Sequence, residues 1–153
     1  MPAVAWWAAY VIGGIWAQDM SGGRDFLSPG LLVCLQVRQW WQALGVAVLW
    51  IFLHEGGGNL AFGASLLFYV GLLILFFASQ WLLEPENPLF IVCFSLCLSG
   101  WLYAVLAGAV SLQELAVRLP APWPWIATQW GVYVVTWAFS LFVYRRMVRH
   151  GRV

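Results

Sequence analysis

The stretch 26–54 reads FLSPGLLVCLQVRQWWQALGVAVLWIFLH, and how it divides decides the fold. Taken as one helix it would run about 42 Å at 1.5 Å per residue, against a bilayer hydrocarbon core of roughly 30 Å. It would also carry Gln36, Arg38, Gln39 and Gln42 near its middle. Divided at Arg38, it becomes two short helices, Phe26–Val37 and Gln39–Leu53, each too short to span unaided. A charge at mid-bilayer costs at least about 2.5–3.5 kcal/mol, so the division is preferred. It sends Arg38 to a turn near an interface and leaves longer neighbours to cover the short helices. Six helical segments follow; the fused reading has five.

The rest of the chain makes a membrane reading of this stretch necessary. Of 153 residues, 8% are charged and 63% hydrophobic, with mean hydropathy +0.84. An average soluble domain carries about 25% charged residues. At this length a soluble fold would leave roughly a third of its unfolded-chain surface in water, so the composition excludes a soluble globular protein. Disorder is excluded by the same hydrophobicity. The basic residues are all Arg and the net charge is +1, so no basic domain exists to grip nucleic acid. The expected fold is all-α, a polytopic membrane helical bundle in one integral domain over 1–153. Its helices are expected at about 3–19, 27–37, 40–54, 59–83, 88–113 and 123–145. The uncharged stretches 56–83, 87–113 and 119–144 are each long enough for one span. Stretch 1–18 has no basic start and a poor cleavage neighbourhood at Ala17-Gln18-Asp19, so it reads as a retained first helix.

Arginines orient the bundle. Arg145, Arg146, Arg149 and Arg152 crowd the end of the chain, which places the C-terminus in the cytoplasm with its basic tail against anionic lipid. Six segments bring the N-terminus and Arg38 to the same side and leave Arg24 and Arg118 outside. Five segments would flip the N-terminus.

Few residues have the makings of chemistry. His54 and Glu55, ahead of Gly56-Gly57-Gly58-Asn59, form the densest polar cluster, an acid–base pair or half a metal site by residue type. The other histidine, His150, falls on the opposite side, so neither a haem nor a zinc site can be assembled, and a helix end with a glycine-rich turn is preferred. Cys34, Cys93 and Cys97 lie inside helices and read as small hydrophobes with no disulfide framework. No nucleophile elbow, phosphate loop or helical metal-ligand pair is present. The chain is expected to be no enzyme and to carry no cofactor.

Packing signals are richer. Of the twelve Trp, several sit at expected helix ends (Trp6, Trp7, Trp16, Trp40, Trp41, Trp81, Trp123 and Trp125), and an aromatic belt accounts for most of them. Small residues recur at four-residue spacing as Ala9, Gly13, Ala17 and as Gly100, Ala104, Gly108, for internal packing first and a partner face second. The last helix aligns Gln129, Tyr133, Thr136, Ser140 and Tyr144, and the fifth aligns Ser95, Ser99 and Tyr103. These polar faces are expected to hydrogen-bond one another, the alternative being a cavity lining or an oligomer contact.

The order of pieces resembles one family. A first helix is followed by Pro29–Leu32 opening a short helix, a polar break at Arg38, and a second short helix. An acidic, glycine-rich end with a glycine-led long helix comes next (His54–Gly63, HEGGGNLAFG), and the last helix closes on Tyr144-Arg145-Arg146. This is similar to MreD, the small rod-shape-determining membrane protein of bacteria. That family tends to read Pro-Asp-Leu-Leu at the second helix, where Gly30 stands here, and carries an Asp where Glu55 stands. The resemblance implies a fold like the six-helix substrate-binding subunit of energy-coupling-factor vitamin transporters. It implies a non-enzymatic scaffold in the bacterial inner membrane that, with an MreC-like partner, couples the cytoskeleton to peptidoglycan synthesis during elongation. Partner contacts are then expected at Gly100, Ala104 and Gly108, at His54 and Glu55, and at Arg38, with a further copy of the chain as another candidate partner. The alternative is a small-molecule transport subunit with a cavity lined by Trp50, Gln129 and Tyr133.

Overall fold

The computed structural model describes residues 2–56, 63–85, 87–112 and 119–150, without the side chains of 2–4, 54–56 and 147–150. Among the described residues there are six helices and no strand. They are α1 (Pro2–Met20), α2 (Ser28–Gln36), α3 (Trp40–Gly56), α4 (Ala64–Ser79), α5 (Pro88–Leu112) and α6 (Pro122–His150).

The deciding stretch is divided at Arg38. The Gln39 N–H donates to the Cys34 carbonyl at 2.9 Å and the Arg38 N–H to the Leu35 carbonyl at 3.1 Å. This crossed pair closes a helix when the residue after the cap is left-handed, a place usually given to glycine. Here Arg38 holds φ +58°, the one non-glycine residue with positive φ among those described. The same closure ends α1, where Gly23 N–H reaches the Gln18 carbonyl at 2.9 Å and Gly22 has φ +72°. Arg38 therefore carries strain that Gly22 does not. Arg38→Gly should stabilise the protein by about 0.5–1 kcal/mol. An unchanged or lower midpoint in detergent unfolding would count against that strain.

Proline and asparagine open α2 and α5. Pro29 sits in the first turn of α2, where its missing N–H costs nothing. Asn87 caps α5 by accepting the Leu89 N–H at 2.9 Å. The expected helix over 59–83 is shorter than the sequence reading has it. Gly63 is left-handed at φ +88°, α4 begins at Ala64, and its hydrogen bonding breaks into turns after Ser79. At 16 residues α4 reaches only about 24 Å. Two helices, Pro88–Leu112 and Pro122–Arg146, are long and apolar enough to cross a membrane; Trp40–Leu53 and Ala64–Ser79 are shorter apolar helices.

The short α2 is the axle of the bundle. Every residue from Ser28 to Leu35 is buried, with α3 on one side and α6 on the other. The core continues through a four-ring cluster in which Phe76, Phe90 and Phe94 join Trp137 at centroid distances of 5.4–6.0 Å. Edge-to-face contacts of this kind add to area burial. Where α4 meets α5, Gly71 lies under the Trp101 indole, 2.3 Å from where a Cβ would stand, and the indole N–H donates to the Phe68 carbonyl at 3.2 Å. Outside, the bundle is apolar: Trp41, Phe52, Trp81, Leu82, Leu112 and Trp123 are all largely exposed. A monomer in water rarely presents so much apolar surface.

Candidate functional site

The connection between α1 and α2 dives into the bundle. Gly22 and Gly23 turn the chain, and Asp25, at 5% exposure, becomes the one buried acidic side chain among the described residues. Its Oδ1 accepts the Leu27 and Ser28 backbone N–H groups at 2.9 and 3.1 Å. Its Oδ2 accepts the Tyr133 hydroxyl at 2.8 Å and the Ser28 hydroxyl. Asp25 thus takes the first N–H of α2, where a carboxylate meets the positive end of the helix dipole. The Asp25 carbonyl accepts the Gln129 side-chain N–H at 2.9 Å, and the Tyr10 hydroxyl donates to the next carbonyl, Phe26, at 2.7 Å. Two residues of α6 and one of α1 therefore hold this connection in place.

Its neighbour Arg24 turns the other way. The guanidinium donates to the Trp125 carbonyl at 3.2 Å and lies 5.6 Å from the centre of the Trp125 ring. Trp125, Asp25, Gln18, Ser65, Phe68 and Tyr69 belong to the wall of a cavity of about 60 Å³. That is space for a few waters, far short of a drug-sized or vitamin-sized ligand. Ser65 is buried, and its Oγ has no hydrogen-bond partner. The Gln129 Oε1 is likewise buried and unpartnered.

Sequence reasoning placed Trp50, Gln129 and Tyr133 around a transport cavity. All three are fully buried and packed, with Gln129 and Tyr133 committed to Asp25. The polar faces of α5 and α6 were expected to bond one another, and they do not. Ser99 bonds back to the Ser95 carbonyl of its own helix, and Tyr103 reaches the Pro120 carbonyl. On α6, Trp137 donates to the Gln36 Oε1 at 3.1 Å and Tyr144 to the Gln42 Oε1 at 3.3 Å. The α6 face therefore serves α2, its flanking turns and α3.

Nor do the small-residue stripes pack internally. A Cβ added at Gly100, Gly108 or Gly13 would meet nothing within 4 Å, and Ala104 is exposed. The close approach on α1 falls instead at Gly14, where an added Cβ would stand 2.6 Å from Leu27 Cδ2. Ala9, Gly13 and Ala17 line an outer groove of about 240 Å³ between α1 and α6, with Thr136 and Phe139 opposite. Arg38, Arg145 and Arg146 are exposed. The side chains of His54, Glu55 and Arg149 lie outside the described set, as do Arg118, Arg152 and the glycine turn before Gly63.

Asp25 stands in the sequence as a lone acid beside Arg24 in a glycine-containing connection, with nothing local to mark it as buried. Comparison of the chain with protein-family models, curated proteins and solved structures gave no match in any of the three.

Proposed function

We propose that the chain is a multi-pass inner-membrane protein working as a non-enzymatic scaffold of the bacterial cell-elongation complex. The observation that carries a scaffold over a transport subunit is the filled centre. Trp50, Tyr133, Trp137, Phe76 and Phe90 occupy the space a small-molecule binder needs open. The faces left open are outside, at Gly100–Gly108 and in the α1–α6 groove, where lipid-embedded partners pack through small residues. The apolar exterior supports a lipid surround, with α5 and α6 as the longest spans. The cell-elongation assignment comes from the resemblance in layout, from Pro29–Leu32 through Arg38 to Tyr144–Arg146.

In this reading six segments put both termini in the cytoplasm. Arg38, Arg145 and Arg146 share that side with the exposed Trp41 and Trp81, a headgroup-level set suited to anionic lipid. Depleting the protein in a rod-shaped bacterium that carries it should round the cells within a few generations, scored by microscopy. Unaltered rods would sink the scaffold assignment. A C-terminal reporter active only outside the cytoplasm would overturn the orientation.

A further inference from the structure

The outer groove between α1 and α6 ends beside two arginines. Trp6 belongs to that end of its wall, and the adjacent Trp7 packs on Tyr144, the residue before Arg145, at 6.0 Å between ring centroids. Arg145 and Arg146 are both exposed. From Trp6 to Ala17 the groove follows α1 for about 16 Å. That is close to the depth of one leaflet, half of a hydrocarbon core roughly 30 Å thick. Its wall is carbon almost throughout. Ala9, Gly13, Gly14 and Ala17 leave α1 without bulk, and Phe26 and Phe139 stand beside them.

We propose that the groove holds one acyl chain of an anionic phospholipid, with the lipid's phosphate at Arg145 and Arg146. Small residues would also suit a packed helix, so size and charge decide the occupant. A volume of about 240 Å³ holds roughly eight methylene-sized groups at ~30 Å³ each, a single file along the groove. A partner helix, about 10–12 Å across with its side chains, would only ride on the rim. Guanidinium groups pair with phosphate, and two of them stand where the chain leaves the groove for its headgroup. The inference rests on the membrane reading but not on the cell-elongation assignment. It gives this groove to lipid and leaves Gly100–Gly108 as the face for a protein partner.

The test is the unfolding midpoint of the purified full-length protein in a mild detergent. Dioleoylphosphatidylglycerol is titrated against dioleoylphosphatidylcholine, which has the same chains and no net charge. The anionic lipid should raise the midpoint along a saturating curve, and the zwitterionic one should need roughly tenfold more. A Cβ at Gly13 would meet nothing within 4 Å, so Gly13→Leu should fold normally, fill the groove and raise the half-saturating phosphatidylglycerol roughly tenfold. Gly45→Leu, at an equally open glycine of α3, should follow the wild-type curve. Arg145→Gln with Arg146→Gln should bring the two lipids together; where Gly13→Leu does not fold, this double variant decides. Identical curves for wild type and Gly13→Leu overturn the proposal. So does a midpoint indifferent to phosphatidylglycerol, or one that both lipids raise alike. If Gly13→Leu instead splits an oligomer in native mass spectrometry with the lipid curve unmoved, the groove belongs to a second copy and the proposal falls. A protein that stays in solution without detergent would sink the membrane reading too; one that needs detergent and ignores phosphatidylglycerol sinks the lipid site alone.

Discussion

Replacing Gly30 with aspartate, the residue the resembled family tends to carry there, will prevent stable folding. A Cβ at position 30 would stand 2.7 Å from both the Trp50 and the Tyr10 ring, and 3.0 Å from Trp7. Those rings pack on one another, with Tyr10 between Trp7 and Trp50 at 5.7 and 6.2 Å and Trp7 against Tyr144 at 6.0 Å. They come from α1, α3 and α6, so none can move without disturbing another helix. Overpacking a core costs about 1–3 kcal/mol, and an unpaired buried carboxylate adds several more. About 5 kcal/mol, a large share of a small protein's whole stability, is the expected loss. Detergent-solubilised Gly30→Asp should elute as aggregate where wild type is monodisperse, and Gly30→Ala should be intermediate. A stable Gly30→Asp protein would mean that the aromatic box opens readily.

The second large effect belongs to Asp25→Ala. The change strips acceptors from the Tyr133 and Ser28 hydroxyls and from two backbone N–H groups, all buried. Each buried donor left unpaired costs about 1–3 kcal/mol, offset where a hydroxyl rotates to another acceptor, so about 3 kcal/mol in total is expected. Tyr133→Phe removes a single donor and should cost about 1 kcal/mol. The ratio is informative. If both variants shift the unfolding midpoint equally, the network is worth no more than its Tyr133 arm. If Asp25→Ala is near neutral, the α1–α2 connection is held by Gln129 and Tyr10 alone.

The fold was legible wherever charge and turn chemistry coincided. Arg38 interrupts an apolar run between two glutamines, and burying it would cost more than a turn does, so the break could be placed to the residue. Pro88 and Pro122 stand first in α5 and α6, where a missing N–H costs nothing. The end of α4 was not legible, because residues 80–83 are mostly apolar and look helical although they fold as turns. Packing partners were the least legible. Gly100, Ala104 and Gly108 permit a close approach, but a stripe of small residues says nothing about which helix, if any, takes it. The polar face of α6 was correctly seen as turned inward and wrongly paired with α5. Hydrogen-bonding capacity is written in the sequence, whereas its partner depends on how α2 is threaded between α3 and α6. Asp25 combined both difficulties, since a lone acid at a loop looks solvated until the loop is seen to enter the core.

The complete burial of α2 bears on how the chain is made. Its polar anchors on α6 arrive late: Gln129 and Tyr133 follow Asp25 by 104 and 108 residues, and Trp137 follows Gln36 by 101. At about 5–20 residues per second, a ribosome needs roughly 5–20 s to supply them. Throughout that interval the nascent chain holds a nine-residue helix too short to cross the bilayer and an acid without its tyrosine. The last helix is thus a keystone in time as well as in space, and a chain stalled before α6 carries a built-in flag for membrane proteases.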